Sequence, residues 1–256
     1  PEGVLGAMVA FVPSLDVLAA KLVSVFARNR ELPTHQALVA VFDPRTGAPV
    51  ALLDGEEITA QRTAAASALA TRLLAREDAQ VLAIVGTGVQ AESHARYVRL
   101  VRPFREVLIA GRDPQKAAGL AARIGGRAAT IEEAVRGADV VCATTHAKEP
   151  VVRLSWLRPG AHLNSVGLNP AGSELDTVQG ALLAVEARAS AFAPPPAGAN
   201  ELREIAAAEA VELGELLSGT RAGRASAAQV TVYKSVGIAA EDAAAAALVL
   251  ARMRER

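Results

Sequence analysis

The sequence predicts an α/β fold built on a parallel sheet with helices on both faces, and three observations predict it. Val81-Leu82-Ala83-Ile84-Val85 is an unbroken apolar run, which reads as a strand buried on both faces. It leads directly into Gly86-Thr87-Gly88-Val89-Gln90-Ala91, a G-x-G-x-x-A turn followed by helical spacing through Tyr97 and Leu100. From there to Glu186, short apolar runs alternate with helical segments, the pattern of a doubly wound sheet. Composition agrees: of 256 residues 51% are hydrophobic and only 3% aromatic, so close packing of Ala- and Val-rich elements replaces bulk. That length holds one large domain or two modest ones.

Residues 1–54 read differently, as an antiparallel sheet. Val9–Val12, Lys21–Phe26 and Ala37–Phe42 carry the β-branched residues, and Asp43-Pro44-Arg45-Thr46-Gly47 is a turn into a further strand, Pro49–Leu53. Thr59 to Leu74 is an Ala- and Leu-rich helix for which Thr59 is the expected cap. After the central strand, Glu106–Ala110 is a second strand and Pro114–Ile124 a helix with proline at its first turn. Thr130-Ile131-Glu132-Glu133 is a capping box for a short helix ending at Gly137. Asp139–Ala143 and Ala161–Val166 are buried strands, and Ala181–Glu186 is expected to be the last. Ala193–Gly198, with three consecutive prolines, is a loop. Glu201–Leu217 is helical in composition, Val230–Ser235 is a short β-like run, and Ala239–Arg254 is a long Ala-rich helix.

Strand, glycine turn and helix in that order are the context a dinucleotide fingerprint requires. Gly86 permits the tight turn, Gly88 lets the backbone approach a pyrophosphate, and Ala91 lets the helix pack closely on the strand. Thr87, Val89 and Gln90 bring their N–H groups to the helix start, where the dipole favours a phosphate. The domain is therefore expected to be a Rossmann-type dinucleotide-binding domain. In such folds an acid about 20 residues beyond the glycines holds an NAD ribose. Here the second strand ends Ala110-Gly111-Arg112-Asp113. Arg112 suits a 2′-phosphate through charge-assisted hydrogen bonds, which favours NADP(H). A solvated Arg112, with Asp113 serving NAD(H), is the alternative.

Lys+Arg and Asp+Glu are both 27, and no basic run appears, which argues against nucleic acid. No apolar stretch is long enough to span a bilayer without charge. The single cysteine, Cys142, excludes an internal disulfide framework, fits a reducing, cytoplasmic setting, and sits in an apolar run as an inert thiol. His35, His94, His146 and His162 lack metal-ligand spacing, so no metal site is expected. The chain begins at Pro1 without Met, as a trimmed or partial chain would. Lys21 interrupts an otherwise apolar strand, and Arg62 lies near the start of the following helix. Each has a plain reading, a snorkelling lysine and a helix-surface arginine. Gly167-Leu168-Asn169-Pro170-Ala171-Gly172 follows a buried strand at its carboxyl end, the edge where ligands bind in open α/β sheets, although a simple loop reads the same way.

The sequence resembles the ornithine cyclodeaminase/mu-crystallin family, on its ketimine reductase side. Ile58-Thr59-Ala60-Gln61-Arg62-Thr63-Ala64-Ala65 and the glycine fingerprint carry the resemblance, with Lys21-Leu22-Val23, Glu174-Leu175-Asp176, Lys234-Ser235-Val236-Gly237 and Glu241-Asp242 in the family's order. The resemblance implies a Rossmann domain at 75–194 inserted in a second α/β domain. That domain is made from both chain ends (1–74 and a return segment, 195–256) and forms a homodimer. It implies that Lys21 and Arg62 hold a substrate carboxylate, that Lys21 supplies a proton, and that Ser235–Gly237 approaches the nicotinamide. Arg112 then meets the 2′-phosphate.

Family members carry a further N-terminal segment with a second substrate arginine, and this chain starts after it, so the carboxylate clamp looks incomplete. Asn169 stands where cyclodeaminases carry an aspartate. An amide is no base, which counts against ornithine cyclisation and suits reduction. The expected activity is therefore NAD(P)H-dependent reduction of a ketimine or 2-imino acid to an amino acid, with Lys21, Arg62 and Asn169 in the catalytic set. The alternatives are an ornithine cyclodeaminase using catalytic NAD⁺, an amino-acid dehydrogenase, and a crystallin-like protein that binds a small ligand without turnover.

Overall fold

A computed structural model describes residues 3–26 and 28–255; Pro1 lies outside them. The chain divides into two compact units, Pro1–Arg62 with Gly237–Arg256, and Thr63–Val236.

In the first unit, β1 (Val4–Val12), β2 (Val17–Val25), β3 (His35–Phe42) and β4 (Pro49–Asp54) form an antiparallel sheet in chain order. β1 and β2 begin earlier than their β-branched cores suggest, because pairing continues from Val4↔Val25 to Val12↔Val17. One face of this sheet is dry. Val17, Ala19, Val39 and Val41 pack with Ile58, Ala243 and Ala246. The last two belong to α7 (Ala239–Arg254), whose alanines let it lie close on the strands. The opposite face, carrying Leu5, Val9, Phe11, Leu22, Leu38 and Leu52, is exposed.

Helix α1 (Gly55–Leu74) starts four residues before Thr59. Asp54 caps it, accepting from Glu56 N at 2.9 Å and Glu57 N at 3.1 Å. Thr59 instead turns its hydroxyl back to Gly55 O at 2.6 Å, so the expected cap lies inside the first turns. α1 runs on from Arg62 into the second unit.

That unit holds an eight-stranded sheet in which every pairing is parallel. Its members are β5 (Val81–Val85), β6 (Glu106–Ala110), β7 (Arg127–Ala128), β8 (Val140–Ala143), β9 (His162–Ser165), β10 (Leu182–Val185), β11 (Val211–Glu212) and β12 (Thr231–Lys234), in the order β11-β10-β12-β9-β8-β5-β6-β7. Helices α2 (Val89–Val98), α3 (Pro114–Ile124), α4 (Ile131–Gly137), α5 (Arg188–Ala191) and α6 (Leu213–Ser218) complete it. Residues of β5 alternate between two cores: Ala83 and Val85 join Ala134 and Val135 of α4, while Leu82 and Ile84 join Ala91, Ala95, Ala117 and Leu120 of α2 and α3. Both faces are covered, as parallel sheets require.

Two expectations change here. β10 is not the last strand: β12 inserts between β9 and β10, and β11 extends the edge. The short β-like run expected at Val230–Ser235 is β12, and all four of its residues are fully buried despite Thr231 and Lys234. The sheet therefore draws in β11 and β12 from residues beyond 194. The helix expected over Glu201–Leu217 reduces to short turns and α6. Asn200 donates to Asn169 O, Pro170 O and Gly172 O, and Glu201 pairs with Lys234, so tertiary bonds override a helical composition.

Candidate active site

The glycine fingerprint joins β5 to α2 as expected. Gly86 has φ +135°, and a Cβ there would collide with Thr144, so only glycine fits. Gly88 is the N-cap of α2, no side chain caps the helix, and a Cβ on it would meet nothing within 4 Å. The start of α2 thus carries no side-chain cap among the described residues, which suits an anion. Ala91 is fully buried against the sheet. Thr87 lies against Gly111, where a Cβ would meet its Cγ2 at 2.9 Å. Val89 is exposed on the first turn, and Gln90 Oε1 is buried with no hydrogen-bond partner among the described residues. The sheet order reverses between β5 and β8, the position where such sheets bind nucleotides.

Arg112 follows β6, is exposed, and has no hydrogen-bond partner among the described residues. Asp113 is the N-cap of α3, accepting from Gln115 N at 2.9 Å and Lys116 N at 3.2 Å. Its carboxylate is therefore committed to the helix. The residues present fit a dinucleotide.

Lys21 and Arg62 belong to the first unit, and the structure brings them together. Lys21 points from β2 into the dry side and is 2% exposed. Its Nζ lies 2.9 and 2.8 Å from the two oxygens of Asp242, and 3.4 Å from Thr59 Oγ1. Arg62 Nε donates to Asp242 Oδ1 at 3.1 Å, and its Nη1 donates to Glu241 Oε2 at 2.8 Å. Burial first, and then the Arg62 guanidinium, push the Lys21 pKa below its usual value, while Asp242 opposes them. Gly237 has φ +77°, and a Cβ there would run into the Arg62 guanidinium. Neither the snorkelling reading of Lys21 nor the surface reading of Arg62 survives this burial.

Asn169 and Ser235 belong to the second unit. The Asn169 amide is spent on backbone: Nδ2 donates to His146 O and Ala147 O of the loop after β8 at 3.2 and 3.3 Å, and Oδ1 accepts from Ala171 N of its own loop at 3.0 Å. Ser235 Oγ donates to Glu186 Oε1, and its N donates to Ser165 O at 2.8 Å.

Sequence reasoning assigned no role to Glu174, which is 1% exposed at the carboxyl edge of the sheet. Its Oε2 accepts from Thr145 N and Oγ1, both at 3.0 Å, and its Oε1 accepts from Ser165 Oγ and Gly167 N, both at 2.7 Å. Four donors meet the four lone pairs of a carboxylate, so one side chain ties the loops after β8 and β9. Lys234 adds bonds to Ser165 Oγ at 3.1 Å, Gly167 O at 2.6 Å and Glu201 Oε1 at 3.2 Å. Only the family resemblance marked Glu174 and Lys234. Cys142 is buried, and burial pushes its thiol up to about 12, which makes it inert.

Fold and fingerprint together define a Rossmann-type dinucleotide-binding protein. The chain belongs to the ornithine cyclodeaminase/mu-crystallin family, whose model matches residues 1–256. It is 40% identical over 259 residues to ketimine reductase mu-crystallin of Mus musculus, covering 97% of this chain and 80% of that protein. Among solved structures it is similar to Thermococcus litoralis Δ1-pyrroline-2-carboxylate reductase in complex with NADH and L-proline. The TM-score is 0.91 at 34% identity, over 99% of this chain and 83% of that one. It is also similar to an archaeal alanine dehydrogenase dimer with bound NAD, with TM-score 0.89 at 29% identity, over 100% and 83% of the two chains.

Proposed function

We propose that this chain reduces the C=N bond of a ketimine or 2-imino acid to an amino acid, using NAD(P)H. The observation that carries the reading is the convergence of two buried cations, Lys21 and Arg62, on one carboxylate in a chain that also bears an intact dinucleotide fingerprint. Relatives with reductase names and a solved neighbour holding NADH and L-proline support it. Gly86 to Ala91 would hold the pyrophosphate, and Ser235 to Gly237 the nicotinamide side. When bound, the dihydronicotinamide supplies the hydride that ends on the imine carbon. Arg62 binds the substrate carboxylate and fixes which face of the imine is presented. Lys21, protonated, keeps a proton on or near the imine nitrogen, so that carbon accepts hydride and nitrogen ends as an amine. Asn169 holds the loop beyond β9 instead of acting as a base, which favours reduction over cyclodeamination.

NADP(H) is the favoured cofactor, because Arg112 is open to a 2′-phosphate while Asp113 is occupied as a cap. The test follows NADPH and NADH absorbance separately against a panel of cyclic ketimines, and against 2-oxo acids with ammonia or methylamine. Ornithine with NAD⁺ is assayed in parallel for ammonia and proline. Imine-dependent loss of NADPH is expected, and Arg112→Ala is expected to lower kcat/KM for NADPH at least tenfold while sparing NADH. Ammonia and proline from ornithine without net NADH would make the protein a cyclodeaminase. Tight ligand binding without turnover would make it a binding protein.

A second copy of this chain is the expected partner. The outer face of β1–β4 exposes Leu5 at 73%, Val9, Phe11, Leu22, Leu38 and Leu52 at 69%, a set of neighbouring apolar side chains of the kind that marks an interface. Light scattering should give about twice the 26.4 kDa chain mass, and Leu5→Glu with Leu52→Glu should return it to the monomer value. A monomer before substitution would refute this. No helix among the described residues is long and apolar enough to cross a membrane. A cytoplasmic site of action fits the single buried thiol.

A further inference from the structure

Asp242 is the carboxylate on which Lys21 and Arg62 meet. It lies in the first turn of α7 and is 2% exposed. Its Oδ1 accepts from both Lys21 Nζ and Arg62 Nε, at 2.9 and 3.1 Å. The three side chains come from β2, α1 and α7, so three separate elements close on one carboxylate. Two cations this near each other repel, and burial removes the water that would screen them. The repulsion is offset only if an anion sits between them.

We propose that Asp242 is the positioning residue of this site: by bridging Lys21 and Arg62 it aligns both cations toward one substrate carboxylate and retains the proton on Lys21. This rests on the reading of Lys21 as the proton-holding group in imine reduction. The charges facing Lys21 are few. Arg62 comes from α1, Glu241 and Asp242 from α7, and His35 from β3; Glu56 of α1 acts on His35. Burial and the nearby cations Lys21 and Arg62 hold His35 below its usual value, so it is neutral at physiological pH and adds no charge. Arg62 disfavours the proton on Lys21, and Asp242 is the largest opposing influence; Glu241 acts in the same sense but more weakly. Glu241 bonds Arg62 at its outer nitrogen, so it anchors the guanidinium without bridging the pair.

The test replaces Asp242 by Asn, which keeps the shape and one acceptor oxygen but removes the charge. Two readouts are taken. The first is the titration of the Lys21 Cε resonance in protein carrying ¹³C-lysine; with four lysines in the chain, Lys21→Arg assigns it. The second is the pH profile of kcat with the best imine substrate. Removing an adjacent anion lowers a lysine pKa, so the resonance should titrate at least one pH unit lower. The basic limb of kcat should move down by the same amount, because activity is lost as Lys21 deprotonates. At neutral pH, kcat should fall more than KM rises. Asp242→Glu, which keeps the charge, should restore most of the titration, and Glu241→Gln should move it far less than Asp242→Asn. Should the amide not be tolerated, Asp242→Ser supplies the neutral variant. A wild-type Lys21 midpoint in the neutral variant overturns the proposal. A lowered midpoint in a protein without imine reductase activity leaves the role of Asp242 standing and overturns the functional reading instead.

Discussion

Replacing Arg62 by alanine is expected to raise the substrate KM tenfold or more while leaving dinucleotide affinity unchanged. Tenfold corresponds to about 1.4 kcal/mol, well within the value of a buried, charge-assisted contact to a carboxylate. The loss extends beyond substrate. Arg62 lies between Glu241 and Asp242 with its side chain only 9% exposed, and removing it leaves the buried Asp242 with Lys21 but without its guanidinium partner. Breaking such a pair costs about 3–5 kcal/mol of stability. The variant should therefore also melt earlier, and kinetics belong below its new transition. Saturation curves with the best imine and a direct cofactor titration separate the two effects. An unchanged KM in a folded variant would remove Arg62 from the site.

Acid should unfold this protein well before its carboxylates protonate. His94 and His162 are both fully buried in the second unit. His94 lies between Gln90 O at 2.7 Å and Ser67 Oγ at 2.9 Å; His162 lies between Thr231 Oγ1 at 2.9 Å and Asn164 Oδ1 at 3.1 Å. Burial pushes the pKa of His94 down to about 4 and that of His162 down to about 3, so both stay neutral in the fold. Their unfolded values lie near 6.5, so from about pH 6.5 down to about pH 4 the unfolded chain binds more protons. Stability is then complete above pH 6.5 and falls as pH falls, by up to about 1.4 kcal/mol per pH unit for each histidine. By pH 4.5 the pair removes roughly 5 kcal/mol, comparable with the whole stability of many domains. Urea midpoints at pH 7, 6, 5 and 4.5 should decline steeply, and the double variant His94→Gln, His162→Gln should flatten the curve. A flat wild-type curve between pH 7 and 5 would refute the assignment. Asp139 does not confuse the window: hydrogen bonds from Gln80 N and Val81 N and the Arg158 guanidinium outweigh burial and hold its carboxyl below its usual 3.8.

What the amino-acid sequence determined by itself is whatever depends on neighbours a few residues away. The glycine fingerprint was legible because its turn, its bare helix start and its small packing residue lie within Gly86–Ala91. The same holds for the Thr130 cap, whose hydroxyl accepts from Glu133 N at 3.2 Å, and for the proline start of α3. The α1 start was misplaced by four residues because Asp54, inside a strand-like run, offers the same capping chemistry as Thr59. Local signals could not reveal that Lys234 and Thr231 lie in a central strand, or that Glu201 serves Lys234 instead of a helix. Lys21 and Arg62 could be noticed as odd residues, but pattern alone left each a bland reading. Only tertiary structure decided that they share Asp242, 221 and 180 positions away, and that Glu174 ties the ends of two strands. The physical reason is that a buried charge is tolerated only beside its partner, and the partner is delivered by the packing of distant elements, not by spacing along the chain.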